Sequence, residues 1–260
     1  MNKLTLMKMH RLRDFLKDDV RRRTDFTQTD QTLGVDMPPV QAAATEGHRV
    51  LPLPKWQGEV HPQGSFDQLV DGRKSVRKYL DEPLTASELS YLLYMTQGVR
   101  REAPGRVLRT VPSAGNRHST ETYLALTVDV PDRDGNTLFE HGLWHYLPLD
   151  HALEWVGHAE DLEGRIAAAA LDQAFVGKAP AVFFWAVAPY RTEWRYAEAS
   201  HKVIAIDLGH VCQNLYLAAQ SIGCGTCAVA AYDQQKADAL FSLDGADMFV
   251  AYLAPVGKIR

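Results

Sequence analysis

Thr85-Ala86-Ser87-Glu88 has the spacing of a helix-capping box, and Leu89, Leu92, Leu93 and Thr96 then follow at helical period, which predicts a helix to about Gln97. Gly98 is its natural stop. Val203 to Ser221 is the longest helical pattern, with Ile204, Ile206, Leu208, Val211, Leu215 and Leu217 supplying its apolar positions. Shorter helices are predicted over Ser65 to Gly72 and over the Ala-rich Leu162 to Leu171. Strand patterns occupy Glu121 to Val130, Leu143 to Tyr146 and Glu154 to Val156, the last two turning around Asp150. Ala179 to Ala188 is continuously apolar and reads as a strand covered on both faces. Asp247 to Val256 closes the chain as a further strand, and no internal repeat or low-complexity tract interrupts the order.

Residues 1 to 63 have a different texture. Arg11, Arg13, Lys17, Arg21, Arg22 and Arg23 lead into a segment punctuated by Pro38, Pro39, Pro52, Pro54 and Pro62, which cannot be one helix. A short amphipathic helix is predicted within Leu4 to Val20, through Leu12, Phe15 and Leu16, followed by an extended arm. Leu51, Leu53 and Trp56 give that arm enough apolar surface to dock rather than stay free. Two parts are therefore expected: an N-terminal helix and arm over 1–63, and a mixed helix and strand domain over 64–260.

Composition narrows the function classes. The chain has 260 residues, 46% apolar and 23% charged, with a formal net charge of −4. That mildly acidic balance gives no field for a nucleic-acid backbone. Three cysteines, all after position 211, exclude a disulfide scaffold. The apolar run from Ala179 to Pro189 is well short of the roughly 20 residues a membrane-spanning helix needs. Lys3, Lys8 and His10 break up any secretory signal core in the first ten positions. A cytoplasmic protein with reduced thiols, no membrane partner and a small-molecule substrate is the expectation.

Four constellations can carry chemistry. Arg73, Ser75 and Arg77 share a face whether the segment is helical or extended, so two guanidiniums and a hydroxyl can converge on a phosphate; the alternative is a solvated basic turn. Pro112-Ser113-Ala114-Gly115-Asn116-Arg117-His118 is a loop of small and polar residues that lets a polar heterocycle approach the backbone, or is merely a surface turn. Asp207, His210 and Asn214, with Gln213, form a polar stripe on an apolar helix, as a structural network or a functional lining. Cys224-Gly225-Thr226-Cys227 has dithiol spacing, but it follows the carboxy end of a helix rather than opening one, and no second ligand pair exists for zinc. No metal ligands are expected. His201 and His210 are conceivable bases with no evident nucleophile.

In this order the pieces resemble the flavin-dependent nitroreductase superfamily, and more closely its SagB-type dehydrogenase (ThcOx-like) branch. Arg73-Lys74-Ser75-Val76-Arg77 is similar to the opening Arg-x-Ser-x-Arg signature, and Pro112 to His118 to the branch's Pro-Ser-Ala-Gly loop. Asp207 to Asn214 resembles its helix motif, Ile222 to Cys227 its Gly-x-Gly-Thr turn, and Pro255-Val256-Gly257-Lys258 its closing segment. The resemblance covers about Gly64 to the end. It implies a homodimeric α+β fold with a central, mostly antiparallel sheet flanked by helices and FMN in a cleft between subunits. Carried over, Arg73, Ser75 and Arg77 would contact the FMN phosphate, ribityl and pyrimidine edge, with Lys258 and Arg260 near the phosphate. Pro112, Ser113, Ala114, Gly115 and Asn116 would come from the partner subunit, while Ala228, Val229, Ala230 and Ala231 would run beside the flavin with N–H groups toward N5. Leu51, Leu53 and Trp56 would then wrap that partner.

The resemblance implies an FMN-dependent oxidoreductase that passes hydride from NADH or NADPH through flavin to an electron-poor acceptor such as a nitroaromatic or quinone. One alternative is an FMN-dependent azoline-to-azole dehydrogenase of a peptide-modification pathway. Another is a flavin-binding or dithiol redox-sensing protein without turnover. No catalytic side chain is assigned, since the hydride chemistry belongs to the cofactor. His118-Ser119 stands where the branch usually has His-Pro, which makes the adjoining pocket more polar.

Overall fold

The computed structural model describes residues 3–103 and 106–260. It opens with α1 (Lys3–Leu12), then β1 (Val50–Pro52), α2 (Phe66–Gly72), α3 (Ala86–Gln97), β2 (Val99–Ala103), β3 (Arg106–Arg109) and β4 (Thr120–Leu126). Next come β5 (Val130–Pro131), β6 (Thr137–Phe139), β7 (Gly142–Leu147), β8 (Ala152–Gly157), α4 (Leu162–Ala169), α5 (Ala174–Gly177) and β9 (Ala181–Val187). The chain ends with α6 (Tyr190–Tyr196), α7 (Ser200–Ser221), β10 (Cys224–Thr226), α8 (Gln234–Leu240) and β11 (Phe249–Lys258).

Seven strands form one sheet in the order β1-β8-β7-β4-β9-β11-β10. Every neighbouring pair in it is antiparallel. Its centre is buried on both faces, because β4 and β9 send alternate side chains into two separate cores. Leu124, Leu126, Phe183 and Trp185 face the core shared with α3 and α7. Tyr123, Ala125, Val182 and Phe184 face the second core, shared with α4, α5 and α8. This double cover is why Ala179 to Ala188 reads as unbroken apolar sequence. No described helix is long and apolar enough to cross a membrane.

Helix boundaries follow local chemistry. At α3 the Thr85 N–H donates to Glu88 Oε2 at 2.7 Å and the Glu88 N–H to Thr85 Oγ1 at 3.2 Å. In α2, Gln68 Oε1 accepts the Ser65 N–H at 2.9 Å.

The arm departs from expectation. α1 stops at Leu12 and runs into a 3-10 turn over residues 13–16; Lys17 is then extended and separates it from a second such turn over 19–22. Leu12, Phe15 and Leu16 are 59%, 54% and 70% exposed and belong to neither core formed by the described residues. Leu51, Leu53 and Trp56, expected on a partner, instead join the core of their own chain, because β1 pairs with β8 and completes the sheet edge. Residues 40–48 are pinned by charge. Glu121 accepts the Ala42 N–H at 2.7 Å and Glu154 the Thr45 N–H at 2.7 Å. Arg109 donates to the Val40 carbonyl at 2.7 Å.

Candidate functional site

The segment after α2 is extended, and it lies against β10 through a parallel bridge from Ser75 to Thr226. The Val76 N–H donates to the Thr226 carbonyl at 2.9 Å. The approach requires glycine at position 225, since a β-carbon there would sit 2.7 Å from Val76 Cβ. Extended geometry puts Arg73, Ser75 and Arg77 on one face. Arg73 lies 5.1 Å over the Tyr216 ring and Arg77 5.8 Å over the Phe175 ring. Among the described residues neither guanidinium forms an ion pair, so both positive charges remain available to an anion.

Lys258 pairs across the sheet with Cys224, at the end of β11 beside this segment, and its ammonium lies 3.5 Å from Glu88 Oε2. Part of its charge is thus committed within the chain. Arg260 is exposed beyond the strand. In the strip after β10, the Ala228 N–H donates to the Tyr216 hydroxyl at 2.8 Å and the Val229 N–H to the Leu253 carbonyl at 2.8 Å. The N–H groups of Ala230 and Ala231, both exposed residues, have no acceptor among the described residues. Only these two keep free the donors expected of the whole Ala228 to Ala231 run.

The loop of Pro112 to Asn116 rests on the other half of α7. Asp207 accepts the Ala114 N–H at 2.9 Å, and burial raises its carboxyl above the usual range against the opposing pull of those bonds. Gly115 takes φ 58°, and a β-carbon there would meet the Tyr196 hydroxyl at 2.5 Å. Ser113 Oγ accepts the His118 N–H at 2.9 Å. His118 Nε2 faces two acceptors, the Val107 carbonyl at 2.9 Å and Asn116 Oδ1 at 2.8 Å, so that nitrogen carries the proton. Burial, with Arg109 beside it, pushes this imidazole down to about 3 and keeps it neutral. A cavity of about 290 Å³ is lined by Arg100, Pro112, Ser113 and Asn116, and the buried Asn116 amide nitrogen has no acceptor among the described residues.

Within one chain the arginine segment and this loop are not brought together. They pack at Tyr216 and Asp207, about 13 Å apart along α7 at 1.5 Å per residue. The polar stripe of α7 also divides: Asn214 donates to the Met95 carbonyl at 3.0 Å, tying α7 to α3, whereas His210 and Gln213 are exposed. His201 is engaged with Glu193 at 2.8 Å on the surface. A cavity of about 800 Å³ is lined by Glu59, Glu88, Arg133 and Gln220, with none of Arg73, Ser75, Arg77 or Pro112 to Asn116 in its wall.

Cys224 and Cys227 are both buried. Burial pushes the Cys224 thiol up to about 12, and the same cause does so for Cys212. A thiol that stays protonated is a poor nucleophile. We expect native protein at pH 8 to leave all three cysteines unmodified by an aromatic disulfide reagent over minutes, and unfolded protein to titrate all three; rapid native labelling of Cys224 would refute this. Among the described residues no group of three or more His, Cys, Asp or Glu is placed to hold a metal ion.

A buried charge network beneath the loop escaped the sequence reading. His145 Nε2 lies 3.0 Å from Glu121 Oε2 and its Nδ1 3.1 Å from Glu154 Oε2. Both ring nitrogens face carboxylates, so the ring is an imidazolium. Burial alone would lower it, but the two carboxylates hold it up to about 9. Burial would likewise raise Glu121, yet Arg191 and His145 bring it down to about 2. Arg191 also donates to the His118 carbonyl at 3.1 Å, which connects the network to the loop. The available signal was three ionisable residues, Glu121, His145 and Glu154, inside otherwise apolar strand patterns.

Residues 70–258 match the nitroreductase family model. A proposed nitroreductase of Methanocaldococcus jannaschii is 36% identical over 191 residues, covering 72% of this chain and 87% of that protein. The crystal structure of a proposed nitroreductase from Ralstonia eutropha superposes with a TM-score of 0.65 at 24% identity, over 86% of this chain and 96% of that one. A proposed nitroreductase from Desulfovibrio desulfuricans, solved in complex with FMN, gives 0.51 at 16% identity, over 75% of this chain and 86% of that one. The chain belongs to the nitroreductase family, and its antiparallel sheet flanked by helices is the fold of that family.

Proposed function

We propose that this protein is a homodimeric, FMN-dependent oxidoreductase of the SagB-type branch, which oxidises NADH or NADPH and reduces a small electron-poor acceptor such as a quinone or nitroaromatic. The observation that carries the reading is the pair Arg73 and Arg77, free of carboxylate partners among the described residues and aligned with Ser75 along β10. Such a set suits a phosphate monoester. FMN bound there supplies the two-electron carrier that the side chains lack. The protein's own share is to hold the phosphate with Arg73 and Arg77, with Lys258 as a weaker contributor because of Glu88. Ala230 and Ala231 offer backbone donors to the ring.

The dimer is supported by what one chain leaves unfinished. Ile206, at 47% exposure, sits with Ala205, Gly209 and His210 on an uncovered face of α7. The Asn116 amide and the Pro112 to Asn116 loop line a cavity from which Arg73 and Arg77 of the same chain are absent. A cytoplasmic setting fits the reduced, buried thiols. The azoline dehydrogenase alternative uses the same cofactor with electrons flowing the other way.

Purified protein should be yellow or become so with added FMN, sediment as a dimer, and bleach on anaerobic addition of NADH or NADPH. Reoxidation by menadione or a nitroaromatic completes the test. Flavin that binds but is reduced by neither nicotinamide favours the azoline alternative, and colourless protein that cannot be loaded with FMN overturns the reading.

A further inference from the structure

Tyr216 stands where three parts of the candidate site meet. It lies on α7, and its hydroxyl accepts the Ala228 N–H at 2.8 Å and lies 3.0 Å from Ser75 Oγ. The guanidinium of Arg73 covers its ring at 5.1 Å. One phenol therefore touches the arginine segment on one side and the strip after β10 on the other. The phenol is the more acidic of the two hydroxyls and its oxygen already accepts from Ala228, so the phenol O–H is the donor to Ser75 Oγ. The hydroxyl proton of Ser75 is then directed away from Tyr216, toward the face it shares with Arg73 and Arg77.

We infer that Tyr216 is a positioning residue for the bound flavin, which sets the Ser75 hydroxyl as a donor to the ligand and fixes the Ala228 backbone beside it. The inference rests on the FMN reading above. Tyr216 touches no reacting atom and works through Ser75 and Ala228. Its ring and its hydroxyl have separable tasks: the ring supports Arg73, and the hydroxyl joins the Ser75 segment to the stretch after β10.

The test is a double-mutant cycle with Tyr216→Phe, which keeps the ring under Arg73, and Ser75→Ala, which removes the hydroxyl that Tyr216 aligns. Full-length apoprotein is titrated with FMN, and the visible spectrum and midpoint potential of the bound flavin are recorded for each form. Each single variant should weaken FMN binding about five- to tenfold, and the double variant little more than the weaker-binding single, since both remove one linked contact. Tyr216→Phe should also shift the flavin spectrum or potential, while the melting temperature of its apoprotein stays within a few degrees of the parent. Strictly additive losses, or a Tyr216→Phe variant with parental affinity, spectrum and potential, would overturn the assignment while leaving the FMN reading intact. Parent protein that binds no FMN would overturn both.

Discussion

Apoprotein carrying Arg73→Ala together with Arg77→Ala should lose FMN binding by roughly 100- to 10,000-fold. Each guanidinium would contribute a charge-assisted contact worth about 1.5–3 kcal/mol, and neither is tied to a carboxylate among the described residues. The fold should survive, because Arg77 is exposed and Arg73 half-buried. Titration by quenching of flavin fluorescence measures the loss, and circular dichroism checks the fold. Raising salt should weaken the parent and leave the double variant nearly unchanged, since the screened interaction has gone. Parental affinity in the double variant would return the segment to a solvated basic turn.

The largest stability effect is expected at Glu121→Leu. The carboxylate is 1% exposed, and it holds Arg191, His145 and the Ala42 N–H together. Leucine would leave two buried cations short of a counter-charge, which costs roughly 3–5 kcal/mol and lowers the melting temperature by roughly 10 °C. The arm around residue 42 should become sensitive to limited proteolysis at the same time, because one of its anchors has gone. A melting point and a proteolysis pattern like the parent's would refute the assignment.

The same network has a defined pH signature. His145 rises from 6.5 to about 9 on folding, so its contribution is complete below 6.5 and is lost as pH climbs through 9. Glu121 and Glu154 both fall from 4.5 to about 2, so theirs is complete above 4.5 and is lost as pH drops toward 2. The network therefore stabilises most between pH 4.5 and 6.5. In Glu121→Leu the alkaline limb should move to lower pH, because His145 keeps only Glu154.

Much of this architecture is legible in the sequence alone. The capping pair Thr85 and Glu88, the glycine stop and the apolar run into β9 are local signals, and their elements lie close to where the pattern put them. Arg73, Ser75 and Arg77 were legible because alternate positions share a face in an extended chain. The destinations of Leu51, Leu53 and Trp56 were not, since an apolar arm carries no mark of which surface it covers. Tyr216 escaped for a related reason: its partners Ser75 and Ala228 lie far away in sequence on one side and across a turn on the other. The network of Glu121, His145 and Glu154 depends on cross-strand register, which a linear pattern does not encode.

The last strand, β11, lies between β9 and β10, so a chain still on the ribosome lacks it after the rest of the sheet has been made. Until Phe249 to Lys258 emerge, β9 presents an open edge and β10 has no strand to pair with. The Arg73 segment in turn has no β10 to lie along. A fragment that stops before Phe249 would therefore carry an open β9 edge, a surface prone to pair with other chains, and would have no frame along which to hold the Arg73 segment.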